Sequence, residues 1–179
     1  MLVVLITLFI SIYLVRDMIR PSFHHFKLRL KENSKIILNH YVLLMLLNMI
    51  FGIIIVSLFG DVQAGNQALI EEGFNQYPVL IAFTAVIFAP IVEEIVFRGV
   101  LYQSLRSEKH YLLPTLISAL SFGIVHTLPM YFQTGNVAEL AFLLVYSGMG
   151  FALVRSYEKS GNIWASISVH FLNNLIATI

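Results

Sequence analysis

Two glutamates and an arginine interrupt a long apolar run, "FAPIVEEIVFRGVLYQ", from Phe88 to Gln103. Glu94 and Arg98 are four residues apart, the spacing that puts two side chains on one face of a helix. They can therefore pair. Glu93 points about 100° away, at 3.6 residues per turn, and has no partner on its own helix. Two later apolar runs carry polar groups as well. "SFGIVHTLP" holds Phe122 and His126, and "ISVHFLNNLI" holds His170 and Asn174, each pair again four apart. A carboxylate beside a neutral imidazole can take a proton from water and make it a nucleophile. A second imidazole and an amide can donate hydrogen bonds to the oxygen that becomes negative when a carbonyl is attacked. Glu93, His126, His170 and Asn174 supply that set. Glu93, His126 and His170 also match a known ligand set for a catalytic zinc with an open position. Direct water activation and metal-assisted hydrolysis thus both stay open. The chain has no G-x-S-x-G nucleophile motif and no H-E-x-x-H pair on one helix.

The elements that must position these groups are membrane helices. Of 179 residues 58% are hydrophobic and only 12% charged, where a soluble domain is about half apolar and about a quarter charged. Apolar runs of roughly 17–25 residues suit a bilayer crossing. The spacing predicts six spans, at 1–18, 36–59, 78–104, 111–128, 137–155 and 161–178, in an all-α polytopic bundle with its site buried between helices. The first, "MLVVLITLFISIYLV", lacks a basic leader and reads as a retained helix rather than a cleaved signal peptide. A basic loop, "RDMIRPSFHHFKLRLKENSK", follows it. The positive-inside rule makes that loop cytoplasmic and both termini external, and all 11 basic residues then fall on the cytoplasmic side. The outer loop 60–77 carries no Lys or Arg and is expected to hold a short surface helix. "PMYFQTGN" reads as a second, uncharged outer loop. Pro78 and Pro114 suit helix starts, whereas Pro90 lies inside the third span and should kink it and free a carbonyl. Residues 1–77 read as two N-terminal spans with their loops, and 78–179 as a four-span core. With no cysteine, disulfides and thiolate metal sites are excluded. The expected partners are the lipid bilayer and a peptide or membrane-protein substrate, with no nucleic acid.

Each polar residue has a plainer reading when taken singly. A membrane histidine is commonly a packing residue, a Glu–Arg pair a brace, and Asn173 beside Asn174 interhelical glue. His24, His25, His40 and His110 sit near basic segments or span ends and receive no role. Depth argues for the combination. At 1.5 Å per residue, Glu93, His126 and Asn174 lie roughly 18, 24 and 20 Å from their cytoplasmic span ends, and His170 roughly 14 Å. A charge at the bilayer centre costs roughly 2.5–3.5 kcal/mol, and ionisable groups there are functional candidates by default.

"EEIVFRG" resembles the E-E-x-x-x-R-G motif of the CPBP family, the CAAX proteases and bacteriocin-processing enzymes also called Abi proteins. "FGIVH" matches the family's F-x-x-x-H motif and "HFLNN" its H-x-x-x-N motif, in the family's order over roughly residues 78–179. The resemblance implies an α-helical intramembrane endopeptidase. By it, Glu93 and His126 activate the water, His170 and Asn174 form the oxyanion site, Glu94 and Arg98 brace the helix, and Phe122 packs beside it. The family is catalogued among metalloproteases, although a metal-free glutamate mechanism fits the same residues. Eukaryotic relatives trim prenylated CAAX tails, whereas bacterial ones are linked to peptide maturation and self-immunity. A compact chain without cysteine points to a bacterial plasma membrane and a peptide or membrane-protein substrate. Two other classes compete. One is a non-catalytic scaffold or bacteriocin self-immunity protein; the complete motif set argues against it. The other is a small transporter, which the missing internal repeat disfavours.

Overall fold

The computed structural model describes residues 16–107 and 110–178, together with 5, 6, 9, 10, 12 and 13. Half of the expected first span, 1–18, therefore lies outside the described residues. Those described form seven helices: α1 (Arg16–Leu28), α2 (Leu30–Phe59), α3 (Gly65–Gln76), α4 (Pro78–Leu105), α5 (Leu112–Thr134), α6 (Ala138–Ser160) and α7 (Ile163–Ala177). Four of them, α2, α4, α5 and α6, are long and apolar enough to cross a membrane, and α7 is a shorter apolar helix.

The apolar pattern is turned outward, as a bilayer requires. Leu38, Val42, Leu46, Met49, Ile53 and Val56 form an exposed stripe along α2. Inside, Leu44, Phe97, Phe122, Leu153 and Val169 make the main core. Glycines set how closely the helices approach. A Cβ on Gly148 of α6 would come within 2.7 Å of the Phe51 ring on α2, and one on Gly150 within 2.9 Å of Ala119 O on α5.

Several boundaries differ from the sequence expectation. The basic stretch after the first span is helical rather than a loop. Its Ile19 packs with Ile95, Ile163 and Ile167, so a charged segment still has an apolar face to bury. α5 continues through Pro129 to Thr134, and the start of the expected outer loop is its last turn. It ends where Gly135 adopts φ +67°, and α6 ends likewise at Gly161, φ +62°, the left-handed stop that glycine adopts without a Cβ penalty. α3 is the short helix expected in the outer loop. Its first amide, Gly65 N–H, donates to both carboxylate oxygens of the buried Glu139 on α6, at 3.1 and 3.2 Å.

α4 is the irregular element. Two stretches, Phe83–Phe88 and Ile95–Tyr102, are wound as π-helix around the α-helical segment Ala89–Glu94. Pro90 and both glutamates sit in that short middle segment. Such π turns arise where the regular hydrogen-bond ladder is broken, frequently at functional sites.

Candidate active site

The two adjacent glutamates of α4 part company, as their 100° offset requires. Glu94 faces the core and is 0% exposed. Its Oε1 accepts from Arg98 Nη1 at 2.9 Å, the partner that the i,i+4 spacing predicts. The same oxygen accepts from His170 Nδ1 at 3.0 Å, a bond across helices that no local pattern announces. Arg98 is equally buried. Its Nη2 donates to Gly150 O on α6 at 2.9 Å, and its guanidinium lies 4.9 Å from the Phe122 ring centre. One ion pair thereby links α4 to α5, α6 and α7.

Glu93 faces a cavity. Its Oε2 lies 3.7 Å from His126 Nε2 on α5 and 3.8 Å from His170 Nε2 on α7. That oxygen is buried and has no hydrogen-bond partner among the described residues. The other ring nitrogens fix what those Nε2 atoms can do. His126 Nδ1 meets Phe122 O at 2.7 Å, and a carbonyl only accepts, so Nδ1 carries the proton. His170 Nδ1 donates to Glu94. In the neutral rings both Nε2 atoms are then lone pairs. With the Glu93 carboxylate, three acceptors converge and none of them donates. A water molecule or another donor between them resolves that deficit. Phe122 packs on His126 with ring centres 4.4 Å apart and on His170 at 5.6 Å, which holds both rings.

Asn174, one turn beyond His170, completes the group picked from the sequence. Its Nδ2 donates to Ala85 O on α4 at 2.8 Å, and its Oδ1 accepts from Asn173 Nδ2 at 3.1 Å. Glu93, His126, His170 and Asn174 all line one cavity of about 360 Å³, closed on one side by Asn66 and Ile70 of α3. A second cavity of about 400 Å³ shares the walls Tyr146, Met149 and Asn173 with it.

The donor types suit zinc, but the spacing does not form a ligand cluster. Zinc bonds of about 2.0–2.1 Å put tetrahedral donors about 3.4 Å apart, closer than the 3.7 and 3.8 Å found here. No group of three or more His, Cys, Asp or Glu among the described residues is arranged to hold a metal.

Sequence reasoning overlooked Tyr146. It stacks on the His126 ring, centres 4.9 Å apart and planes 18° apart, and its hydroxyl accepts from Asn66 Nδ2 at 3.4 Å. Glu139, the anchor of α3, was also unforeseen. Both stand in α6, a span without any of the three motifs; an acidic residue at the start of an apolar helix was the available signal.

Residues 75–176 match the family described as Rce1-like, type II CAAX prenyl endopeptidase Rce1-like. Two relatives are similar over shorter stretches of their own chains. One is "Putative membrane peptidase YdiL" of Bacillus subtilis (strain 168), 30% identical over 117 residues, 65% of this chain and 43% of that protein. The other is "Membrane-embedded CAAX protease MroQ" of Staphylococcus aureus (strain USA300), 26% identical over 159 residues, 83% of this chain and 60% of that protein. The chain thus spans about half the length of these relatives. No solved structure matches it significantly.

Proposed function

The chain belongs to the Rce1-like family of type II CAAX prenyl endopeptidases, the CPBP group that its three motifs resemble, and from that premise we propose that it hydrolyses a peptide bond inside the membrane with water activated by Glu93 and His126. One observation carries this reading: a buried Glu93 Oε2, without a hydrogen-bond partner among the described residues, stands 3.7 Å from His126 Nε2 at the wall of a cavity. That separation lets one water molecule bond both atoms at about 2.8 Å. The carboxylate and the imidazole share the proton as the water oxygen attacks the substrate carbonyl. The proton then passes to the departing amine.

The carbonyl oxygen becomes negative and needs donors. Asn174 Nδ2 has two hydrogens, one given to Ala85 O and one free for the cavity. His170, held through Nδ1 by the Glu94 carboxylate, presents its Nε2 to the same cavity as the second member of that site. Glu94 and Arg98 act behind the site, holding His170 and the α4 backbone in register. The substrate class is a peptide or membrane-protein segment, the class to which the names of the relatives point. The 360 Å³ cavity admits a short stretch of extended chain, and its neighbour continues the path.

The test is purified protein in proteoliposomes with a quenched-fluorescent peptide library. His126→Ala should abolish cleavage while inserting and melting like wild type, and wild type treated with chelator should keep cleaving. Wild-type rates in His126→Ala would overturn the reading. Stoichiometric zinc, lost together with activity on chelation, would replace its water-activating step.

A further inference from the structure

Pro90 removes a backbone donor three residues before Glu93, and the vacancy can be followed atom by atom. In a regular α register the missing N–H would strand Val86 O. Here the Ala89 N–H reaches back to Thr84 O, the five-residue step of a π turn. Ala85 O therefore loses its α-type donor, because residue 89 is committed elsewhere. Its π-type donor would come from residue 90, which is proline. The wider turn thus passes the vacancy one residue back, to Ala85. Asn174 Nδ2 fills it from α7 at 2.8 Å. The second π stretch of α4 has a matching arrangement: Ser118 Oγ on α5 donates to Phe97 O at 2.9 Å.

We propose that Asn174 is a positioning residue that ties α7 to the Pro90-released carbonyl of α4. It forms one rung between the two helices, and His170 to Glu94 forms another. Together the rungs fix where Glu93 stands relative to His170. A buried carbonyl left without a donor is costly, so the tether and the π turn stabilise one another. The kinetic side of this role rests on the catalytic reading above; the tether itself does not.

A double-mutant cycle on the full chain tests it, because Pro90→Ala restores an N–H that Ala85 O can accept. Thermal unfolding and the kcat and KM of peptide cleavage are measured for wild type, Asn174→Ala, Pro90→Ala and the double variant. In the Pro90 background Asn174→Ala should lower both the melting temperature and kcat. In the Pro90→Ala background both losses should shrink, kcat recovering by at least about fivefold while KM stays put. If Asn174→Ala yields folded protein only in the Pro90→Ala background, that rescue is the same result. Equal losses in both backgrounds, or failure to fold in both, overturn the tether and leave Asn174 acting at the reacting oxygen alone. The melting arm reads the tether even where cleavage data are lacking. A Glu93→Ala variant that cleaves normally would sink the catalytic reading without touching the tether.

Discussion

Replacing Arg98 by alanine isolates the ion pair at the centre of the bundle. Glu94 and Arg98 are both 0% exposed and joined at 2.9 Å. Removing one partner of a buried pair costs about 3–5 kcal/mol, because the remaining charge loses its compensation. Gly150 O loses its donor in the same step, adding about 1 kcal/mol or more for a buried acceptor left unpaired. At roughly 2–4 °C per kcal/mol for a chain of this size, the variant should melt about 8–24 °C below wild type. Glu94→Gln keeps the shape but leaves Arg98 uncompensated, and should fall in the same range. The double variant Glu94→Leu/Arg98→Met behaves differently. Exchanging a buried pair for apolar side chains of similar bulk is often neutral or better. Only His170 Nδ1 and Gly150 O then lose partners, at about 1–3 kcal/mol each. The two changes should therefore couple by at least about 2 kcal/mol. Thermal unfolding in detergent, followed by the fluorescence of Trp164, the chain's single tryptophan, reads wild type, these variants and the singles Glu94→Leu and Arg98→Met that close the cycle. An Arg98→Ala variant melting within about 2 °C of wild type, or a double variant whose shift equals the sum of the singles, refutes the reasoning.

Three further perturbations follow from the packing. Gly150→Ala drives a Cβ to 2.9 Å from Ala119 O and 3.0 Å from Ala119 Cα, and overpacking of backbone on backbone should cost about 1–3 kcal/mol in a melt; Gly52→Ala, with nothing within 4 Å, is the neutral control. Glu139→Leu strips the carboxylate from the α3 N-terminus, a loss of about 1 kcal/mol, and should speed amide exchange over Gly65–Gln76 and leave α5 unchanged. Tyr146→Phe keeps the ring stacked on His126 and should preserve cleavage, whereas Tyr146→Leu removes it and should lower kcat more than stability; equal rates for the two would deny the stack a part in placing His126.

Much of the site was legible because helical spacing is local. The i,i+4 pair of Glu94 and Arg98, the divergence of Glu93, and the proline-released carbonyl all follow from one stretch of α4. The convergence of Glu93, His126, His170 and Asn174 followed from comparable depth on separate apolar runs. What stayed hidden depends on pairs far apart in sequence: His170 on Glu94, Asn174 on Ala85, Tyr146 on His126. No periodicity encodes which neighbouring helix supplies a donor. Helix ends were misread where one signal outweighed another. "PMYFQTGN" read as an outer loop after a span ending at 128, whereas the helix runs on to Thr134 and stops at Gly135. Positive charge suggested a loop where Ile19 and its apolar neighbours make α1 a helix.

The most direct measurement is the cleavage rate of Glu93→Gln beside wild type in proteoliposomes, with melting temperatures for both. Glutamine keeps the size and the contacts but cannot take a proton from water. The account predicts that cleavage falls to background, a loss of at least about a thousandfold, or about 4 kcal/mol of barrier, while the melting temperature stays the same. Cleavage at the wild-type rate by the folded Glu93→Gln protein would contradict it.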